Sequence, residues 1–440
     1  MNRVSTFERV AEELNRGGFS YSVAHGIDGY PGSVGRDLDL VLPRAQIDSA
    51  IDAARAAMEE SGLAVVEPPR IWGRRLVAAH PSGRGGMVEI HMLPELRWRN
   101  VRIGGPSAAE QLTGPFPVDP WISWSKRVLI PVLCGDGGRI RGRSQEMRFR
   151  PLELEQAHAR LPLLVGSELS GRLLEQLEGD DPDSVLALAP ACRRAAVRRA
   201  FLTRPVYSLT WPVRALLRRV RLPFSASAPV IAIVGPDGTG KSTIVRELAK
   251  TDDWIFLEII GRHWRPGVLP QLGTFIGRRG PPPGEARPPR RTAGRFAGLR
   301  LTYYALDVLV GSLLSDRSAA GRQKLVVYDR CFLDMVVDPL RYGLPTGNGV
   351  RLIWSLLPKP DRIVALVGDP VAIHRRKPEL PIADVGEQLA TWRGLAAAGL
   401  VSDSVNVDRP IDDVVESVRK LVVRAFLERN GYAGEPQCGA

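Results

Sequence analysis

Cysteine is scarce in this chain of 440 residues, with only Cys134, Cys192, Cys331 and Cys438 and no C-x-x-C pair. That scarcity argues against a disulfide-stapled scaffold and a cysteine zinc site, and makes a reducing cytoplasm the expected location. Aromatic residues make up only 6%, and no aromatic-plus-basic stacking module of the RRM kind is present, so nucleic acid is not the expected partner. No run reaches the roughly 18 apolar residues of a membrane span, so no span is expected. The opening MNRVSTFERVAEELNRGGF reads as an amphipathic helix with acidic residues and no apolar core segment, unlike a signal peptide. No internal repeat is visible.

Positive charge is in excess: Lys+Arg number 60 against 48 Asp+Glu, a net charge of +12. Such a balance suits nucleic acid, a membrane surface or phosphorylated small molecules, and is equally met by a solvated arginine-rich surface. The length and the 44% hydrophobic content predict two or three domains.

Residues 1–105 alternate helix and strand. YSVAHG, DLDLVL, LVAAHP and MVEIHML read as strands, and RAQIDSAIDAARAAMEESG as a helix ending on glycine. Residues 106–204 are expected to be mostly helical. Residues 205–229, interrupted by Pro205, Pro212 and Pro223, read as a linker. Within it the basic, partly apolar piece Arg214–Arg221 admits two readings, a linker helix packed on a domain or a membrane-surface element. From 230 to 440 an α/β pattern follows. VIAIVG, KLVVYD and RIVALVG read as buried strands and STIVRELAK as a helix, which predicts a parallel sheet flanked by helices. The Pro-, Gly- and Arg-rich segment 278–295 reads as a surface interruption.

GPDGTGKST fits the phosphate-loop pattern G-x-x-x-x-G-K-[ST], with a strand before it and a helix after it. Gly235, Gly238 and Gly240 let the backbone turn so that N–H groups, with those of Asp237, Thr239 and Thr243, face one phosphate chain. Lys241 supplies charge for the β- and γ-phosphates and Ser242 a hydroxyl for Mg²⁺, so ATP and Mg²⁺ are the expected cofactors. The loop does not separate a kinase from a GTPase or motor. LVVYDRCFLD places Asp329, a second magnesium-side carboxylate, at a strand end with Arg330 after it. A later helix start at Asp369-Pro370 leads into Arg375-Arg376-Lys377, a guanidinium cluster suited to a transferring phosphoryl group. No N-K-x-D guanine-reading segment and no motor-like region follow the loop.

On GPDGTGKST, YDR at 328–330 and the basic segment at 374–377, residues 230–430 resemble the thymidylate kinase family. The resemblance implies that Asp237 lies near the acceptor sugar, that Arg330 holds the acceptor phosphate, and that Arg375 or Arg376 closes as a lid. Asp329 would serve magnesium or the attacking oxygen. The chain departs from the family after Arg330: DRCFLDMVVDPLRYG puts Cys331 where an aromatic is usual, with Asp334, Asp338 and Arg341 where a base-reading segment is expected. GRHWRPGVLP and YYALDVLVG resemble a divergent branch associated with surface polysaccharide synthesis, with His263, Arg265 and Asp307 as candidate acceptor contacts or structural polar residues.

In AHGIDGYPGSVGRDLDLVLP, Asp37 and Asp39 stand two apart on a strand, so both carboxylates share one face and can hold Mg²⁺. Glu89 and His91 share a face of MVEIHM, with Glu89 as third carboxylate. Residues 20–95 resemble the nucleotidyltransferase superfamily in this arrangement. Two candidates stand for its glycine turn, Gly26 followed by Ile27 and the pair Gly32-Ser33. An acidic edge strand after a Gly/Pro turn is the structural alternative.

The expected protein is a phosphotransferase moving the γ-phosphoryl of ATP to a small, already phosphorylated acceptor. A nucleoside monophosphate or a sugar phosphate would serve, and an N-terminal α+β nucleotidyltransferase-like domain precedes the kinase. A regulatory ATP- or nucleic-acid-binding P-loop protein stays open as the alternative, as does a nucleotidyltransferase whose kinase half has decayed. Oligomeric state is open, with a homodimer one option.

Overall fold

The computed structural model describes residues 2–69, 73–84, 86–106, 111–142, 151–179, 181–225, 227–250, 254–269, 296–344, 348–378 and 380–433. The proline-rich segment 278–295 lies outside the described residues. The chain divides into two compact units, one comprising residues 1–81 and 85–220 and the other residues 82–84 and 221–440.

In the first unit β1 (Ser22–His25), β2 (Asp37–Val41), β3 (Ala64–Val66), β4 (Arg74–Ala79), β5 (Met87–Leu93), β8 (Gln111–Thr113) and β9 (Phe116–Val118) form a seven-stranded mixed sheet. Its order is β3-β4-β5-β2-β1-β9-β8. A separate hairpin joins β6 (Leu96–Trp98) to β7 (Val101–Gly104). Strands β8 and β9 fall in a stretch whose pattern predicts helix; each is three residues long, too short to show a period.

The alternation of β2 explains the layering. Leu38 and Leu40 enter a core with Phe7, Val10 and Leu14 of the Arg3–Arg16 helix and Ile51 and Ala54 of the Ile47–Glu59 helix. Asp37 and Asp39 therefore take the opposite face. A second apolar cluster collects Ala24, Val41 and Leu93 with Trp121, Trp124, Leu161 and Leu173 from the helices between residues 120 and 203. The stretch expected to be a linker begins with a 17-residue helix, Pro205–Arg221. Pro205 occupies its first turn, where a missing N–H costs nothing.

The second unit is built on β10 (Val230–Val234), β11 (Glu258–His263), β12 (Lys324–Asp329), β13 (Arg362–Val367) and β14 (Asp403–Asn406). All neighbours are parallel, in the order β11-β12-β10-β13-β14. Residues Ala232, Val234, Val326, Tyr328 and Ala365 pack towards Leu301, Val308, Trp354 and Trp392. On the remaining flank the Lys241–Ala249 and Ile411–Arg429 helices pack together. This helix-flanked parallel sheet is compatible with a P-loop nucleotide-binding fold. The chain runs to one side of β10 for β11 and β12 and to the other for β13 and β14. Ligand crevices in open parallel sheets lie at the carboxyl ends of strands beside such a reversal.

The helical run Ala297–Gly321 holds an 18-residue window of mean hydropathy 1.2, long and apolar enough by length and composition to cross a membrane. Counting unbroken apolar residues misses it because Arg300, Asp307, Asp316 and Arg317 and several hydroxyl residues interrupt the apolar stretch. In the fold Asp307 is fully buried and pairs with Arg265 at 3.0 Å.

Candidate functional sites

The C-terminal site grows from the end of β10. Gly235 to Gly240 form the loop, and Lys241 opens the following helix. Gly238 has φ +92°, and a Cβ there would meet the Ile373 carbonyl at 2.8 Å and the Lys377 Cβ at 3.2 Å. Only glycine lets the loop lie this close to the Pro370–Arg376 helix. Lys241 is buried, and its Nζ donates to the carbonyls of Gly235 at 2.9 Å and Pro236 at 2.7 Å. Burial pulls its pKa from 10.5 down to about 8. Asp334 and Asp329 oppose that shift, while Arg341 and Lys377 add to it. The ammonium thus sits folded over its own loop, in a position phosphate oxygens can compete for.

Asp329 ends β12, the strand beside β10, and accepts a hydrogen bond from Ser242 Oγ. Its other oxygen, Oδ1, is buried with no hydrogen-bond partner among the described residues. A buried carboxylate oxygen left unsatisfied is costly, and a hard cation would satisfy it. Ser242 and Asp329 therefore fit Mg²⁺.

Arg330, with φ +75°, lies in the left-handed region that costs an ordinary side chain about 1 kcal/mol or more. Its backbone N–H donates to Ile233 at 2.9 Å, which holds the turn against β10. The guanidinium pairs with Asp237, and also with Asp334 at 3.1 Å. A second guanidinium, Arg341, meets the other Asp237 oxygen at 2.7 Å. Asp334 also accepts from the Cys331 N–H at 2.9 Å. Burial pushes the Asp334 pKa up, against the opposing pull of Arg330. Cys331 is itself buried, its thiol pushed up by burial.

The basic segment follows the start of the Pro370–Arg376 helix. Arg376 donates to the Val407 carbonyl at 3.0 Å, and Arg375 is exposed. Lys377, the next residue, is the cation whose charge reaches Lys241. The candidate acceptor contacts also separate. Asp307 takes Arg265 and accepts from the N–H groups of Gly267 and Leu269, at 3.2 and 2.6 Å, which makes this pair a clamp on the loop after β11. His263 ends β11 opposite Asp329 in register, and is exposed. Beside it, Trp264 packs edge-on against Tyr304 at 4.9 Å and tilts against Tyr342 at 5.5 Å. Sequence reasoning missed this aromatic trio and the paired use of Arg341, because the residues come from three separate stretches.

The N-terminal site lies on the polar face of β2 and β5. These strands are parallel, with Asp37 opposite Glu89 and Asp39 opposite His91. His91 Nδ1 lies 2.7 Å from Asp39 and Nε2 2.5 Å from Glu89. Arg75 of β4 meets Glu89 at 3.1 Å, and Lys126 meets Asp39 at 2.5 Å. Burial would raise the Asp39 pKa, but Lys126 and His91 outweigh it and hold the carboxyl well below its ordinary range. His91 moves up: burial would lower it, and Glu89 and Asp39 prevail. Ligand atoms of Asp37, Asp39 and His91 lie within 4.8 Å of one another. Two carboxylates and an imidazole at this spacing suit a divalent cation, which would have to displace Lys126 from Asp39 and take a deprotonated His91 nitrogen from its carboxylate partner.

Two positioning features carry the cluster. Lys126 sits on a π-helical turn, Ser125–Leu129, and Pro131 follows without an N–H to give Arg127. Gly26 has φ +111°, and a Cβ there would stand 2.2 Å from the Asp37 carbonyl oxygen. The nearest atom to a Cβ on Gly32 is 3.7 Å away. Gly26 is therefore the glycine on which the acidic strand depends. Lys126 and Arg75 had no signal in the sequence, since only the register and the helical layer bring them to Asp39 and Glu89.

No protein-family profile matches the chain, and no curated protein does. Among solved structures, a thymidylate kinase from Ehrlichia chaffeensis aligns with 44% of this chain and 96% of its own, at 14% identity and a TM-score of 0.28. At that score the likeness bears no further weight.

Proposed function

We propose that the C-terminal unit is an ATP-dependent kinase, transferring the γ-phosphoryl group to a small acceptor that already carries a phosphate. The observation that carries this reading is the partnerless buried oxygen of Asp329 beside Ser242, at the head of a glycine loop with its lysine buried. Loop N–H groups would bind the ATP phosphates, with Lys241 turning from its loop carbonyls to the β- and γ-oxygens. Mg²⁺ held by Ser242 and Asp329 would neutralise charge on those oxygens. Arg330 and Arg341 both lean on Asp237, which offers a pair of guanidinium groups for an acceptor phosphate. The aromatic trio Trp264, Tyr304 and Tyr342 suits a planar acceptor, which favours a nucleoside monophosphate over a sugar phosphate.

The test is a panel of nucleoside monophosphates and sugar phosphates incubated with γ-labelled ATP. Label reaching one acceptor class supports the kinase. ATP turnover indifferent to every acceptor, with salt-dependent binding to DNA or RNA, would instead support a regulatory P-loop protein.

A second reading rests on the Asp37–Asp39–His91 trio. The N-terminal unit would use Mg²⁺ on these residues, with Glu89 nearby, for nucleotidyl transfer. Transfer of α-labelled nucleotide that Asp39→Asn abolishes, with γ-phosphoryl transfer intact, supports this. No α-phosphate transfer to any acceptor would sink it.

A further inference from the structure

The Pro205–Arg221 helix has one face without a partner. Val206, Leu209, Val213, Leu216 and Val220 follow one another at alternating steps of three and four residues, and each is 58–75% exposed. At about 100° per residue these positions form one stripe along the helix. The opposite face is held: Ser208 is buried, accepts from Asn100 at 3.0 Å and donates to the Ala200 carbonyl at 3.1 Å. The Tyr207 ring takes the Arg97 guanidinium at 4.1 Å. The helix is thus fixed by its polar side and presents aliphatic side chains outward, a surface pattern that marks an interaction site.

Charge selects the occupant. From Ser184 through Pro236 the sequence has no aspartate or glutamate, while the helix alone carries Arg214, Arg218, Arg219 and Arg221. Arg219 and Arg221 are exposed and lie on opposite borders of the stripe, while Arg214 stacks over Tyr207 at 5.0 Å. An aliphatic stripe bordered by arginines matches an anionic bilayer: the side chains enter the acyl boundary and the guanidiniums stay with the headgroups. The same spacing would satisfy a coiled-coil seam with a second copy. That partner would bring the same arginines and no acidic residue to answer them, and Pro212 leaves one backbone bond unmade within the seam. Nucleic acid would use the charge but has no use for the aliphatic stripe.

We propose that the Pro205–Arg221 helix is an in-plane anchor that docks the protein on anionic phospholipid surfaces. The experiment is vesicle flotation of the full chain, comparing phosphatidylcholine alone with phosphatidylcholine containing phosphatidylglycerol. The full chain should float with the anionic vesicles only, and binding should fall as salt rises. Arg219→Gln with Arg221→Gln should weaken binding about 30-fold, from about 1 kcal/mol per arginine near the surface. Leu209→Glu with Leu216→Glu should abolish it while leaving the thermal unfolding midpoint unchanged. Should the glutamate pair disturb folding, Leu209→Ser with Leu216→Ser serves as the milder variant. Equal behaviour on neutral and anionic vesicles, or leucine variants that float like the parent chain, would overturn the proposal. So would a lipid-free dimer in sedimentation that Leu209→Glu dissolves, which would assign the stripe to a second copy.

Discussion

The two candidate sites invert each other. At the C-terminal site Asp237 and Asp334 together face Arg330, Arg341 and Lys241, so the mobile element to be gained is an anion, with a cation beside it at Asp329. At the N-terminal site Asp37, Asp39 and Glu89 share a face, with His91, Arg75 and Lys126 balancing them, so the natural addition is a cation. The first is built mostly from loop backbone and residues near β-strand ends, where groups can turn towards a ligand. The second lies in the middle of paired strands, where register fixes every side chain. A site that must receive and release a phosphate chain gains from the former, and a site that holds a metal gains from the latter.

That contrast is broken most severely at Asp329. Asp329→Asn keeps the shape beside Ser242 but removes the carboxylate charge available to a cation. It should lower γ-phosphoryl transfer by roughly 10²–10³-fold in steady-state assays, leaving any α-phosphate transfer untouched. Next in size is the guanidinium pair. Arg341→Ala should raise KM for a phosphorylated acceptor by roughly 10–100-fold with little change for ATP, a split visible in initial rates. Equal loss for phosphorylated and unphosphorylated acceptors would remove Arg341 from acceptor binding.

A smaller effect sharpens the N-terminal side. Gly26→Ala forces a Cβ into the Asp37 carbonyl and a left-handed φ on alanine, and should cost about 2–3 kcal/mol in denaturant unfolding. Gly32→Ala should cost under about 0.5 kcal/mol. The reverse order would mean the turn that supports the acidic strand lies at Gly32-Ser33.

A further effect is electrostatic. Lys241 gives up its proton at about 8 in the folded chain and at 10.5 when unfolded. Between those values the unfolded chain holds more protons, so stability should rise with pH across that window and sit lower beneath it. Lys241→Met should lack the rise and be the more stable protein at pH 7, as read by urea unfolding at a series of pH values.

Much of this was legible where residues adjoin in sequence. GPDGTGKST and YDR are contiguous, and Asp37 and Asp39 share a face because strands have a period of two. β10, β12 and β13 are buried central strands and read as apolar runs. β11 and β14 are edge strands, EIIGRH and DSVN, half exposed and without such a run. Lys126, Arg75 and the trio of Trp264, Tyr304 and Tyr342 reach their sites only through tertiary packing, which local sequence does not encode. In the basic segment, which composition locates, Arg376 turns to Val407 and Lys377 is the member whose charge reaches Lys241, after that of Arg341.

The most direct measurement is the initial rate of label transfer from γ-labelled ATP and Mg²⁺ to a nucleoside monophosphate and to the matching nucleoside, for the full chain and for Lys241→Ala. The account predicts transfer to the monophosphate, far less to the nucleoside, and loss of both in the variant. Transfer that prefers the unphosphorylated nucleoside, or that survives Lys241→Ala, would contradict it.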